Sequence, residues 1–342
     1  LKKRAIHALT LALLCAWPAA PAAAQALYAV DHRVDLPGDS GWDYSIVDPI
    51  AHRLYLSRGQ RVDVMDLASE RVVGSIDATY GVHGIALAPD LGKGFTSNGI
   101  SGTVRAFDLK TLEPGALIPA GQNPDAILYE PLTQRVFAFN GKSHDATVID
   151  ARTDSVVATI ALGCKPEFAA TDGQGTVFFN REDKDSIGVI DAKALTVTAV
   201  WALNAKSPSG LALDRAGHRL FAVCDGGKME VVDSLSGAVT AEVAIGGHPD
   251  AAAFDPGTGL AFSSNGEGTL TVAAPGMGGA YAAVGSVATQ KGARTLALDP
   301  STHAIYLVCA RYLSAPAAVD PSIHARPKIL PGSVQLLVLK KL

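Results

Sequence analysis

The chain is poor in the residues that would announce a catalytic or disulfide-built protein. It has four cysteines, three methionines and three tryptophans in 342 residues, and aromatics make up 6%. So few, widely scattered cysteines exclude a disulfide-rich scaffold, and with no Cys-x-x-Cys spacing a structural zinc or c-type haem site has no support. No His and Glu pair stands at metalloprotease spacing, no Gly-x-Ser-x-Gly elbow occurs, and Gly276 to Gly279 lack the strand–helix setting of a phosphate loop. Helical periodicity is almost missing. Beyond the N-terminus there is no long apolar run and no cluster of Lys and Arg, which argues against a membrane span and a nucleic-acid surface.

The N-terminus reads as an export signal. Lys2, Lys3 and Arg4 precede an apolar run from Leu9 to Trp17, and Ala24-Gln25-Ala26 has the small-x-small form of a cleavage site. Residues 1–26 are therefore expected to be removed near Ala26, leaving a bacterial periplasmic or secreted domain over 27–342. Leu14 before Cys15 disfavours a lipid-anchor signal. Loss of the leader takes three of the 29 Lys and Arg, so the 33 Asp and Glu dominate what remains. Cys164, Cys224 and Cys309 survive, an odd number, and a Cys164–Cys224 bridge is conceivable from spacing alone.

Abundant turns replace what is missing: there are 34 Gly and 19 Pro. An apolar strand, an acidic turn and a second strand recur at Asp48-Pro49, Pro89-Asp90, Glu130-Pro131, Asp172-Gly173, Asp214-Arg215, Asp255-Pro256 and Asp299-Pro300. The spacing is roughly 42 residues, the period of a four-stranded propeller blade. Third strands close on Asp66, Asp108, Asp150, Asp191 and Asp233, each before a turn that an Asx side chain would cap. The expected fold is all-β, a seven-bladed β-propeller of four-stranded blades. Its last blade has only three strands of its own, and the segment from Leu27 to Leu36 would close it. An insertion over 311–333, with Asp320, His324, Arg326 and Lys328, is expected on the channel-mouth side, as a lid or a surface extension.

The second strands end in Phe95-Thr96-Ser97-Asn98, Phe137-Ala138-Phe139-Asn140, Phe178-Phe179-Asn180 and Phe262-Ser263-Ser264-Asn265, ahead of third strands such as Val148-Ile149-Asp150. This resembles the YVTN-family β-propeller repeat proteins, a group that includes YncE-like periplasmic proteins. The resemblance runs through the whole mature chain, with Ala274 standing in for the third-strand Asp of blade six. It implies the propeller fold and no single activity.

Equivalent positions in a propeller form rings. Five residues before each acidic turn stand Asp43, His83, Asp125, Glu167, Ser209, Asp250 and Arg294, which would converge at the mouth of the central channel, with Trp42 and Tyr44 beside them. Asp43, His83, Asp125 and Glu167 are the set that would admit a divalent metal ion as cofactor. Arg294 would orient an anionic group. The alternative is that these residues cap strands and solvate a wet channel. A second ring holds Arg58, Asn98, Asn140 and Asn265, which would either satisfy turns or add a polar lining. The favoured reading is a non-catalytic propeller that binds a small ligand or an envelope protein partner at the mouth. The alternatives are a metal-assisted, lactonase- or lyase-like enzyme using the carboxylate and His ring, and an interaction scaffold.

Overall fold

The computed structural model describes residues 27–313 and 328–342. The expected leader, and Asp320, His324 and Arg326 of the insertion, lie outside the described residues. Within them the chain forms seven antiparallel sheets of four strands each, and the only helical pieces are two single 3₁₀ turns, Pro89–Leu91 and Glu182–Lys184. No described helix is long and apolar enough to cross a membrane. Six blades are continuous in sequence, at 45–76, 82–119, 124–161, 166–202, 206–244 and 249–288. The seventh joins Leu296–Leu298, Ile305–Cys309 and Gln335–Lys341 to the first strand of the chain, Tyr28–Asp35. That strand runs antiparallel to Gln335–Lys341, from Tyr28 opposite Lys341 to Asp35 opposite Gln335.

The core is not a single mass but a ring of layers between blades. Phe95 and Phe107 of blade two belong to different clusters: one with Tyr129 and Val136 of blade three, the other with Tyr55 and Val64 of blade one. Phe139 and Phe179 stack across blades three and four with centroids 5.5 Å apart. This arrangement explains why second and third strands are apolar on both faces instead of alternating, since each face meets a neighbouring sheet. In Gln335–Lys341 the period of two is still visible: Leu336 and Val338 pack with blade one, Leu337 and Leu339 with blade six. Outermost strands have one wet side and alternate, as Thr196–Ala202 does.

Turn chemistry follows the sequence pattern. Asp66, Asp108, Asp150, Asp191 and Asp233 each accept backbone N–H bonds from residues two or three positions on, the geometry of Asx turns. Blade six lacks the Asp at Ala274 and turns through Gly278 and Gly279, both at positive φ. Five histidines are explained in the same way. His52, His144, His218, His248 and His303 all sit in the left-handed region at φ 51–61°, so they serve as turn residues. Cys164, Cys224 and Cys309 are buried and free, so the conceivable Cys164–Cys224 bridge is absent. Burial pushes their thiols up, Cys224 to about 12 and Cys309 to about 11, which makes them poor nucleophiles.

The interface between blades seven and one joins segments far apart in sequence, with Val34 and Leu36 of the N-terminal segment at its edge. Leu336→Ala, at a site 1% exposed in that interface, is expected to cost about 2–5 kcal/mol in urea denaturation. Leu342→Ala, at the exposed end of the same segment, should stay within about 0.5 kcal/mol of the parent.

Candidate functional site

The innermost strands tilt together at one end of the channel, and small residues let them do so. A Cβ added at Gly84 would lie 2.9 Å from the Asp125 carbonyl, and one at Gly210 would lie 2.6 Å from the Ala252 nitrogen. Side chains of the first and second strands then lock neighbouring blades at the rim. The Ser97 hydroxyl donates to the Asp125 carbonyl, and Ser264 to that of Arg294. Asn180 Nδ2 donates to Ser209 O at 2.7 Å, and the Ser209 hydroxyl to Pro249 O at 3.0 Å. Each bond pins the backbone of a mouth residue, or of its immediate neighbour, from the blade before it.

All seven residues of the first ring line one cavity of 300 Å³. Lys165, Glu182, Phe168, Tyr44 and Thr295 line it as well. His83 Nδ1 lies 2.6 Å from Asp43 Oδ2 and 3.8 Å from Asp125 Oδ1. These three residues each offer a ligand atom within 4.8 Å of the others, and are the described group that could hold a metal ion. Glu167 stands apart from them, 3.5 Å from Lys165 Nζ, and accepts from the Tyr44 hydroxyl at 3.4 Å. Lys165 also contacts Glu182. Arg294 Nε pairs with Asp250 Oδ2 at 3.2 Å. Gly99 makes room for His83, because a Cβ there would fall 2.6 Å from Nε2.

Crowding like charges in a half-dry cavity shifts their titration. Burial pushes Asp125 up to about 6, with His83 opposing and Asp43 adding. Burial likewise pushes Asp250 up to about 6 against the pull of Arg294. Glu167 is driven well above the carboxylate range by burial and then by Asp125. Five carboxylates face the cavity against Lys165, Arg294 and His83.

Below the charged mouth the lining changes. Tyr44 from blade one and Phe168 from blade four meet with ring centroids 4.8 Å apart, and both line a second, apolar cavity of 340 Å³ in the channel. Trp42, expected beside them, packs instead into the core between blades seven and one. The second ring does not line the mouth cavity. Asn98, Asn140 and Asn265 are fully buried and bond across to third-strand hydroxyls, at 3.3 Å to Thr103, 3.0 Å to Thr147 and 3.0 Å to Thr271. Arg58 is buried too, donating to the carbonyls of Pro37 and Gly38 at 3.2 and 3.1 Å. The insertion begins beside the mouth: Tyr312 bridges Ile329, and its ring is near Gly292.

Lys165, Glu182 and Phe168 were not singled out from sequence as site residues. Lys165 and Phe168 flank Glu167 closely enough to have been noticed. Glu182 reaches the mouth through the 3₁₀ turn that follows Arg181, in the one blade whose repeat is a residue short.

The fold and mouth define the class: a seven-bladed β-propeller with a polar ring over an apolar channel. In sequence, part of the chain is similar to YncE. It is 28% identical over 145 residues to the uncharacterized protein YncE of Escherichia coli O157:H7, a stretch covering 39% of this chain and less than half, 41%, of that relative. No family model matches the chain. Among solved structures it is similar to a chain of hydrazine synthase from Kuenenia stuttgartiensis (17% identity, TM-score 0.70, 80% of this chain and 94% of that one). It is similar also to U3-55K (10%, 0.74, 90% and 99%) and to a chain of a mitotic checkpoint complex (12%, 0.75, 98% and 98%). At such identities the likeness is one of fold.

Because Asp250 titrates higher folded than unfolded, its ionisation opposes folding. The penalty is absent below about pH 4, grows towards about pH 6 and is constant above. Asp250→Asn should therefore be more stable than the parent by about 1–3 kcal/mol at pH 8 and no more stable at pH 3.5, measured by urea denaturation.

Proposed function

We propose that the chain is an exported periplasmic binding protein, freed of its leader near Ala26, that holds a small ligand at the channel mouth without transforming it. The observation that carries this reading is the gathering of five carboxylates, His83, Lys165 and Arg294 around one cavity floored by an aromatic pair. Residues that only capped strands would have no reason to differ so much in charge from blade to blade, or to share a concave space. A cavity of this size suits a small molecule better than a protein surface. An envelope protein partner would instead use the rim loops around it.

A second reading is favoured by one observation, the approach of Asp43, His83 and Asp125. Two carboxylates and an imidazole are a reasonable donor set for Mn²⁺, Fe²⁺ or Zn²⁺, and an ion there would polarise a lactone or ester carbonyl. On that reading Glu167 and Asp250, raised by burial and outside the donor set, supply the acid or base.

The two readings part on two measurements. Mature protein prepared without chelator and incubated with small-molecule extracts of bacterial envelopes should retain a compound detectable by native mass spectrometry. Asp125→Ala/Asp250→Ala should lower its occupancy at least tenfold; unchanged occupancy would place the ligand elsewhere. Elemental analysis should find no stoichiometric metal. One equivalent of metal, lost in His83→Ala together with turnover of a lactone or ester, would establish the enzyme instead.

A further inference from the structure

We infer that the mouth and the channel beneath it act as one amphipathic pocket for an organic ammonium ion that carries a hydrocarbon or aromatic group. This rests on the mouth being a ligand site and names what that site would take.

The head-group preference follows from how the mouth charges are matched. Lys165 is engaged by Glu182 and Glu167, Arg294 by Asp250, and Asp43 by His83. Asp125 shares His83 with Asp43: its Oδ1 lies 3.8 Å from His83 Nδ1, too long for a hydrogen bond, and its side chain is 15% exposed. Five carboxylates thus face the cavity against Lys165, Arg294 and His83, and a ligand N–H⁺ at Asp125 would add a charge-assisted bond. An anionic head would meet the acidic excess, and a neutral one would leave it uncompensated.

The tail follows from the floor. Tyr44 and Phe168 line the same cavity as the carboxylates, and aromatic rings attract cations. Both rings also line the channel cavity, whose walls include Ile46, Ile85, Ile127, Leu128, Leu296 and Leu298. Tyr44 packs against Phe168 and the core between blades three and four and donates to Glu167 at 3.4 Å, so its ring joins the two compartments. A bare divalent ion would occupy the mouth and leave this second compartment unused. A monoalkylammonium ion fills both.

Isothermal titration of the purified protein with n-hexylammonium at pH 7.5 tests the inference. One site is expected, at least tenfold tighter than for hexanol or hexanoate. Affinity should rise from butyl- to hexylammonium by roughly fourfold per methylene if the added groups are fully buried. Asp125→Asn should weaken hexylammonium at least tenfold. Ala253→Leu, which narrows the channel, should bring hexylammonium down to the affinity of methylammonium while leaving methylammonium unchanged. Leu298→Phe does the same should the first variant not fold. Equal affinity for hexanol, or no dependence on chain length, would overturn the inference. If no alkylammonium binds but the Asp125→Ala/Asp250→Ala pair still abolishes capture of an envelope compound, the ligand class is wrong and the mouth site stands. If neither occurs, both fall.

Discussion

Everything in the molecule depends on closing a ring whose core lies between its parts. Each apolar layer is shared by two blades, so no blade has a core of its own, and the layer between blades seven and one is made by segments from opposite ends of the chain. The pairing of Tyr28–Asp35 with Gln335–Lys341 completes blade seven, extended by Leu36 N–H to Val334 O at 2.9 Å. Open rings would leave two sheet faces in water, at a cost set by the apolar area exposed.

The mouth inherits its geometry from that closure. Asp43 enters the first blade a few residues after the closing strand, whereas Arg294 enters the last blade, and they reach the same cavity only in a closed ring. Hydroxyl and amide bonds from one blade to the next then fix where each mouth backbone sits. The scaffold thus brings carboxylates together that would separate if free, and burial raises the titration of Asp125, Glu167 and Asp250 there.

Much of this was legible in the sequence, for physical reasons. The acidic turn after each innermost strand sets a register, and counting from it reaches Asp43, His83, Asp125, Glu167, Ser209, Asp250 and Arg294 correctly as neighbours. The same counting reached Arg58, Asn98, Asn140 and Asn265. It could not say that these side chains turn into the sheet to satisfy strand ends, because that depends on Thr103, Thr147 and Thr271 across the hairpin. Nor could it place Trp42, one residue from the ring yet on the opposite face of its segment. The meeting of Tyr44 and Phe168 was out of reach for a different reason. It spans the axis between blades one and four, and only the diameter of the closed ring decides whether two such rings touch.

The antiparallel closing pair has a mechanical side. Residues 28 and 341 face one another at the same end of that pair, and Leu342 N–H still bonds to Leu27 O at 3.0 Å. A pull applied between these ends runs across the strands, not along them. The ladder would open one hydrogen bond at a time, from Tyr28 towards Asp35, instead of resisting as a block in shear. A ring held together by shared cores is therefore weak to tension in this one direction, and the first element to peel away would be the strand that completes the last blade.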